Sequence, residues 1–413
     1  PRMQRLQAAS CPAPLVELGR DLADPVTVGR GEAIPEDELD EVEMDEDDPF
    51  LILFTSGTTG RARGAVLSHR NQIHFMWSSI LRAIEGGAGG PGPVTEPCTI
   101  SAAPYFHISG LNAQLIMATA TGLTIVHPPP GRWDERTHLA LTERHRATSW
   151  GLVPTQLWRL LECPELGRFD LSSLRSVGGG SAVWPPELLR KLEQVLPGAR
   201  RGLSLGYGMT ETDGLGLSLS NRRSFADPGS LGEPSPGVEV QIRDPAGDRT
   251  VADGQPGEIC LRSASVFLGY WEDPEATAAV LDDQGWYRSG DLGVLRDGRV
   301  YLAGRRSDVI IRGGENIYPV EIENRLVEHP DVVDAAVVGV EHRTLGQEPH
   351  AFVVVRPAST VTAADLQAWV AERLAPFKVP VRVERREDLP RNPSGKIMKH
   401  LLVTDDPSPF VEE

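Results

Sequence analysis

Apolar positions fall in short runs separated by polar turns. The continuous apolar run at 50–54 predicts a buried strand. After it, Ile73, Trp77, Ile80, Leu81 and Ile84 recur at three- and four-residue spacing, which predicts a helix starting at Ser68. Strands are then predicted at 99–103, 123–126 and 203–206, and helices at 111–120, 133–146 and 185–196. This alternation argues for βαβ units and a largely parallel sheet covered by helices. From 231 to 303 short runs lie between Gly, Pro and Asp turns, as in a small β subdomain, with Asp297-Gly298 as a hairpin turn. From about 308 a βαββαβ-like pattern resumes, with helices at 320–327 and 363–374. The expected fold class is α/β, with a large domain of parallel sheets and helices over 50–306 and a small α+β domain over 307–413. Residues 1–49 are expected to be a partial N-terminal segment with an acidic linker.

Composition narrows the function classes. The formal charge is −17, and residues 31–50 hold eleven acids with no Lys or Arg, the mark of a solvated, self-repelling linker. So acidic a chain argues against general nucleic-acid binding and against a polybasic membrane patch. The longest apolar stretch, 111–126, is interrupted by Asn, Gln, Thr and Gly, so no transmembrane helix is expected. Cys11, Cys98, Cys163 and Cys260 have neither metal-ligand spacing nor a disulfide framework, which suits a reducing cytoplasm. The chain opens on Pro1, as a fragment or processed form would, and no signal-peptide pattern is visible in the sequence given.

Several short motifs carry chemistry, each weakly. In Thr55-Ser56-Gly57-Thr58-Thr59-Gly60 the glycines permit tight turns, while hydroxyls and backbone N–H groups can surround phosphate oxygens. Arg63 adds charge nearby. The Walker spacing is absent, and taken alone such a loop is more often a plain turn. In Gly206-Tyr207-Gly208-Met209-Thr210-Glu211-Thr212 the aromatic can stack on a flat base, and Glu211 is a hard ligand suited to Mg²⁺. The bland alternative is a strand-end turn with a packed tyrosine. Asp291 in Ser289-Gly290-Asp291 can bind sugar hydroxyls or simply hold a turn. Lys396 ends a Gly/Pro loop that alone reads as surface.

Together the order is specific. TSGTTG at 55–60, PYFH at 104–107, GGG at 178–180, GYGMTET at 206–212, SGDLG at 289–293, GRRSDVIIRGGENIYPVEIE at 304–323 and NPSGKI at 392–397 resemble the adenylate-forming superfamily. That group includes acyl-CoA synthetases, 4-coumarate-CoA ligases, beetle luciferases and peptide-synthetase adenylation domains. The resemblance covers about 50–400, and the GGENIYP string is most similar to the acyl- and aryl-CoA ligase branch.

The resemblance implies a two-step reaction. A hydrophobic, fatty carboxylic acid attacks the α-phosphate of MgATP to give an acyl-adenylate and pyrophosphate; the thiol of CoA then displaces AMP. It implies that the 55–60 loop and Arg63 hold phosphates, and that Thr55 and Glu211 neighbour Mg²⁺. Tyr207, with Gly208, Met209 and Thr210, lines the nucleotide site; Gly179 and Gly180 lie by the base or acyl path. Asp291 binds ribose with Arg305 nearby, and Lys396 bridges acyl carboxylate and phosphate. His107 lies near the acyl carboxylate, its bland alternative being a core histidine. The small domain is expected to move between steps, bringing Gly313 and Gly314 to the thiol path. Arg305, Arg306 and Arg312 either attract CoA phosphates or serve as ordinary ion-pair partners.

Three departures stand out. Arg61-Ala62-Arg63-Gly64 replaces the family's usual Pro-Lys-Gly, which predicts altered phosphate contact. Ser307 stands where the family usually has a hinge Asp or Lys. Only 54 residues precede the phosphate loop, which predicts that much of an N-terminal subdomain is absent and apolar surface uncovered. Two alternatives stay open: an acyl-AMP ligase loading an acyl carrier protein, and a nucleotide-binding protein that does not turn over.

Overall fold

The computed structural model describes residues 43–55, 62–87, 96–131, 133–180, 184–220, 227, 229–357, 359–391 and 396–402. All contacts below lie within the unit formed by residues 45–128 and 133–413. The predicted phosphate-loop residues Ser56, Gly57, Thr58, Thr59 and Gly60 lie outside the described residues, as do most of the acidic linker and Asn392–Gly395.

Strand β1 (Pro49–Thr55) pairs antiparallel with β2 (Arg63–Ser68), with Thr55 opposite Arg63. The strand is not buried as predicted. Only Leu53 of β1 is buried, and Phe54 is 70% exposed, because β1 is an edge strand of a three-stranded sheet. A continuous apolar run does not reveal how many faces are covered.

Helix α1 (His69–Gly87) begins at a reciprocal cap: Ser68 N donates to Asn71 Oδ1 at 2.8 Å and Asn71 N donates to Ser68 Oγ at 3.3 Å. Its predicted apolar stripe is not what it buries. Trp77, Leu81 and Ile84 are exposed, whereas Asn71, Gln72 and Ser78 are buried beside Phe75. The buried polar side chains are satisfied by long-range partners: Asn71 Nδ2 donates to Ala264 O and Val266 O, and Ser78 Oγ to Pro236 O.

Beyond α1 the strands are β3 (Cys98–Ile100), β4 (Thr124–Val126), β5 (Ser149–Gly151), β6 (Ser176–Gly179) and β7 (Ser204–Tyr207). These pair in parallel in the order β4-β3-β5-β6-β7. Helices α2 (Glu135–Arg144), α3 (Pro154–Leu161) and α4 (Pro186–Val195) supply the crossovers that parallel strands need. Their apolar faces (Leu139, Leu157, Leu160, Leu188 and Leu192) pack with Trp150 and Val177 of the sheet. Between β3 and β4 the helical stretch 108–121 contains a π-helical segment, Leu111–Ile116.

The sheet does not stop at β7. It continues through β8 (Leu217–Ser220), β9 (Ser230–Pro234), β10 (Glu239–Arg243), β11 (Pro256–Arg262), β13 (Tyr287–Arg296) and β14 (Arg299–Arg305). The short β12 (Gly269–Tyr270) instead completes the β1–β2 sheet. The whole order is β10-β11-β13-β14-β9-β8-β7-β6-β5-β3-β4, antiparallel from β7 to β10. The expectation of a largely parallel sheet therefore covers only half of it. The predicted hairpin is present: Asp297 (φ 50°) and Gly298 (φ 76°) join β13 to β14 with two positive φ values, matching strand twist.

The smaller C-terminal domain carries β15 (Ile310–Arg312), β16 (Glu315–Ile317), β17 (Val332–His342), β18 (Gly346–Val355) and β19 (Arg382–Arg386). Helices α5 (Pro319–Val327) and α6 (Ala363–Ala371) bury Ile322, Leu326, Leu366 and Val370 against Val337 and Val353. β19 lies parallel to β18, the product of the α6 crossover.

Candidate nucleotide and acyl-transfer site

The parallel strand β7 and the antiparallel pair β13–β14 meet at one corner. Tyr207 ends β7, and strand register sets Asp291 opposite Arg305. Tyr207 Oη donates to Asp291 Oδ2 at 2.9 Å, and Arg305 Nε pairs with Asp291 Oδ1 at 3.1 Å. Asp291 N donates to Ser289 Oγ at 3.1 Å, and Gly290 takes φ 73°, so the turn needs its glycine. Burial raises the Asp291 pKa, while the Arg305 cation and the Tyr207 hydroxyl oppose it. Burial, and then the Asp291 charge, hold the Tyr207 phenol well above its ordinary range.

Glu211 lies on a 3₁₀ turn, Thr210–Thr212, tied by Met209 N donating to Thr212 Oγ1 at 3.2 Å. Its backbone carbonyl accepts from Phe267 N at 2.9 Å, and its Oε1 accepts from Tyr270 Oη at 2.8 Å. The Arg63 guanidinium stands 5.5 Å from the Tyr270 ring centroid and 3.5 Å from Asp273 Oδ2. Thr55 Oγ1 donates to Arg63 O at 3.4 Å. Arg63, Tyr270 and Glu211 are thus one contact chain leading back to Thr55.

An aromatic run joins this arm to the corner. Tyr270, Phe267 and Tyr287 stack edge to face at 4.9 and 5.6 Å. Lys396 completes the constellation from the C-terminal end of the chain. Its side chain keeps contact with solvent. Partial desolvation and the Arg305 cation nonetheless pull its pKa down to about 8, against the pull of Asp291, Asp308 and Glu211. Lys396 therefore lies within electrostatic range of both the corner and the Glu211 arm.

The glycines have packing reasons. A Cβ at Gly208 would sit 2.4 Å from Gly214 O; at Gly179, 2.0 Å from Leu152 O; and at Gly180, 2.9 Å from Gly206 O. His107 caps the helical stretch that follows it, Nδ1 accepting from Ser109 N at 3.3 Å, and burial lowers its pKa. Its neighbour Ile108 shares a core with Met209, Tyr270 and Tyr287. Gly313 and Gly314 form the β15–β16 turn with φ 59° and 90°; Gly313 N donates to Leu345 O, within the C-terminal domain. Arg305, Arg306 and Arg312 are all ion-paired, with Asp291, Glu258 and Glu348 respectively.

Tyr270, Tyr287, Asp273 and Asp308 were not foreseen. The aromatic pair following Gly269 and the Trp286-Tyr287 pair before the SGD motif were the available signals, but which of those rings turn inward depends on distant strands.

Comparison with known proteins fits this geometry. The AMP-binding enzyme family matches residues 7–271, and the AMP-binding enzyme C-terminal domain matches 321–396. The chain belongs to the AMP-binding enzyme family. This AMP-binding protein is 35% identical over 368 residues to a long-chain-fatty-acid–CoA ligase of Bacillus subtilis, covering 87% of this chain and 62% of the relative. It is 36% identical to a feruloyl-CoA synthase of Amycolatopsis, covering 88% of this chain and 71% of the relative. The o-succinylbenzoate coenzyme A synthetase of Bacillus subtilis, solved with ATP and magnesium ion, superposes with TM-score 0.74 at 34% identity, covering 88% of this chain and 72% of that one. The chain spans 62–65% of the length of the first curated relatives it matches. Among the described residues no helix is long and apolar enough to cross a membrane.

Proposed function

We propose that this protein is an AMP-forming acid–thiol ligase that activates a hydrophobic, fatty carboxylic acid with MgATP and passes the acyl group to CoA. The observation that carries the reading is Lys396 within electrostatic range both of the Tyr207–Asp291–Arg305 corner, built around the buried Asp291, and of the Glu211 carboxylate. Adenylation brings two anions together, so a positioned cation at the acyl carboxylate and α-phosphate lowers the barrier. Lys396 supplies it. Asp291 offers the free lone pairs of its carboxylate to ribose hydroxyls, while Tyr207 and Arg305 hold that carboxylate in place. The half-exposed Tyr207 ring, with Gly208, Met209 and Thr210, lines the base site beside Gly179 and Gly180.

Among the described residues no three His, Cys, Asp or Glu groups form a metal cluster. Mg²⁺ takes one or two carboxylates plus phosphates and water, so a lone Glu211 fits. The Glu211 oxygen not taken by Tyr270 and the Thr55 hydroxyl would hold it, and the ion would supply charge neutralisation at the phosphates. Arg63 contributes a cation shared with Asp273. His107, its pKa lowered by burial, flanks the acyl carboxylate. After adenylation the C-terminal domain turns, Gly313 and Gly314 replacing Lys396 beside the thiol path.

A second acceptor, an acyl carrier protein, draws support from the ion pairing of Arg305, Arg306 and Arg312, which leaves these arginines less available to CoA phosphates. The test is pyrophosphate release from MgATP over acids from acetate to long-chain fatty and aryl acids, with and without CoA. Acid-dependent release with an acyl-CoA product is expected. Acid-dependent release with no thioester on CoA would move the acceptor to a carrier protein. ATP binding with no release from any acid would sink the ligase reading.

A further inference from the structure

The end of α3 carries a carboxylate in an unfavourable place. Glu162 is the C-cap residue of α3, where the helix dipole presents its negative end and a further negative charge is destabilising. Two cations offset this. Glu162 Oε1 accepts from Lys191 Nζ and from Arg356 Nη1, both at 2.7 Å. Burial opposes ionisation of the carboxyl, yet Lys191 and Arg356 hold its pKa below the ordinary range.

The two cations differ in origin. Lys191 is on α4, in the same domain as Glu162, and its ammonium stands 5.3 Å from the centroid of the Trp158 ring of α3. It fixes the carboxylate whatever the C-terminal domain does. Arg356 lies 194 residues from Glu162 along the chain, directly after β18 of the C-terminal domain. Its Nε donates to Pro330 O at 2.8 Å and its backbone N to Asp331 O at 2.8 Å, so the guanidinium is braced from its own domain and offers Nη1 to the other. The ion pair therefore joins the two domains through residues that belong neither to the nucleotide corner nor to the 306–308 turn.

The same arrangement brings Lys396 within electrostatic range of Arg305, Asp291 and Glu211. Side-chain exposures of 28% for Glu162 and 40% for Arg356 make this a half-solvated pair, of a kind that shifts a two-state equilibrium only about 2–5-fold. Such a bias favours one domain orientation without locking it. When Arg356 leaves, Lys191 keeps the carboxylate paired, so separation strands no charge on the larger domain.

We infer that Glu162 and Arg356 are positioning residues, a breakable pair that favours the domain orientation holding Lys396 at the Asp291 corner, with Lys191 presetting the carboxylate. The inference rests on the ligase reading in giving that orientation its part in the first half-reaction.

Glu162→Gln and Arg356→Gln remove the charge pair while keeping much of each side chain's length. Each should slow acyl-adenylate formation about 2–5-fold and leave thioester formation from supplied acyl-adenylate unchanged or faster. The double variant should lose no more than either single one, because the pair is already gone. Equal slowing of both half-reactions, as from a general loss of packing, would overturn the inference, and so would additive losses in the double variant. A second readout needs no turnover. In a Cys11→Ser background, spin labels on Gln194→Cys and Ala368→Cys, both exposed, report the distance between the domains; Cys98, Cys163 and Cys260 are buried. R356Q should shift the ratio of the main distance to its alternatives about 2–5-fold, and raised salt should do the same to wild type and less to R356Q. A distance distribution that R356Q and salt leave unchanged would overturn the inference. If wild type releases no pyrophosphate from any acid, the ligase reading fails, and the distance measurement still decides whether the pair sets the domain orientation.

Discussion

The two ends of the proposed nucleotide site are built differently. The Tyr207–Asp291–Arg305 corner lies inside the eleven-stranded sheet, where strand register places Asp291 opposite Arg305 and both carboxylate oxygens already hold partners. The Thr55–Arg63 arm lies on the three-stranded sheet, where Phe54 and Trp271 are exposed and Arg63 divides its charge between a tyrosine ring and Asp273. The difference lies in the carboxylates, since the two arginines are similarly exposed: Asp291 is buried and doubly partnered, hence preorganised and expensive to disturb, whereas Asp273 is 40% exposed and its pairing cheap to disturb. Substitutions at the corner should therefore cost more than substitutions on the arm.

The largest effect is expected at the residue facing both ends. Lys396→Ala should slow acyl-adenylate formation about 10²–10³-fold, the usual cost of removing one stabiliser of developing charge. Thioester formation from supplied acyl-adenylate should fall far less, and equal losses in the two half-reactions would remove Lys396 from the first step. The kcat/KM for ATP, which reports the free enzyme, should decline as pH rises through about 8 and the lysine loses its proton. A flat profile to pH 9.5 in wild type would contradict that assignment.

Asp291→Asn comes next. It removes a charged acceptor from Tyr207 and Arg305, and ATP affinity measured by calorimetry should weaken about 10–100-fold, as for a lost hydrogen bond to a charged group of about 1.5–3 kcal/mol. Arg63→Lys should be smallest, about 2–5-fold in the KM for ATP, because charge is kept while the guanidinium's cation–π contact with Tyr270 is disturbed, worth about 0.5–1 kcal/mol. An Arg63→Lys loss equal to that of Asp291→Asn would reverse the ranking of the two ends.

Legibility differed in the same way. Asp297-Gly298 was readable as a hairpin because a two-residue turn is decided by the φ values its own residues allow. Tyr207, Asp291, Arg305 and Lys396 were readable only as an ordered set of motifs, and the structure brings them together. Tyr270 and Glu162 were not readable. The first depends on β12 joining β2, the second on an arginine 194 residues away along the chain. Helix α1 shows the limit most clearly. Periodicity located the helix, yet Trp77, Leu81 and Ile84 of its apolar stripe are exposed while Asn71, Gln72 and Ser78 are buried.

The amino-acid sequence by itself determined what local stereochemistry and patterning can encode: the alternation of strands and helices, the tight turns, the family's motifs and their order. Tertiary structure alone decided which face of α1 is covered, that the parallel strands run on into an antiparallel half, and which tyrosines and carboxyls meet. The physical reason is that torsional preference acts within a few residues. Burial and hydrogen-bond pairing are settled by partners that only the closed chain brings within reach.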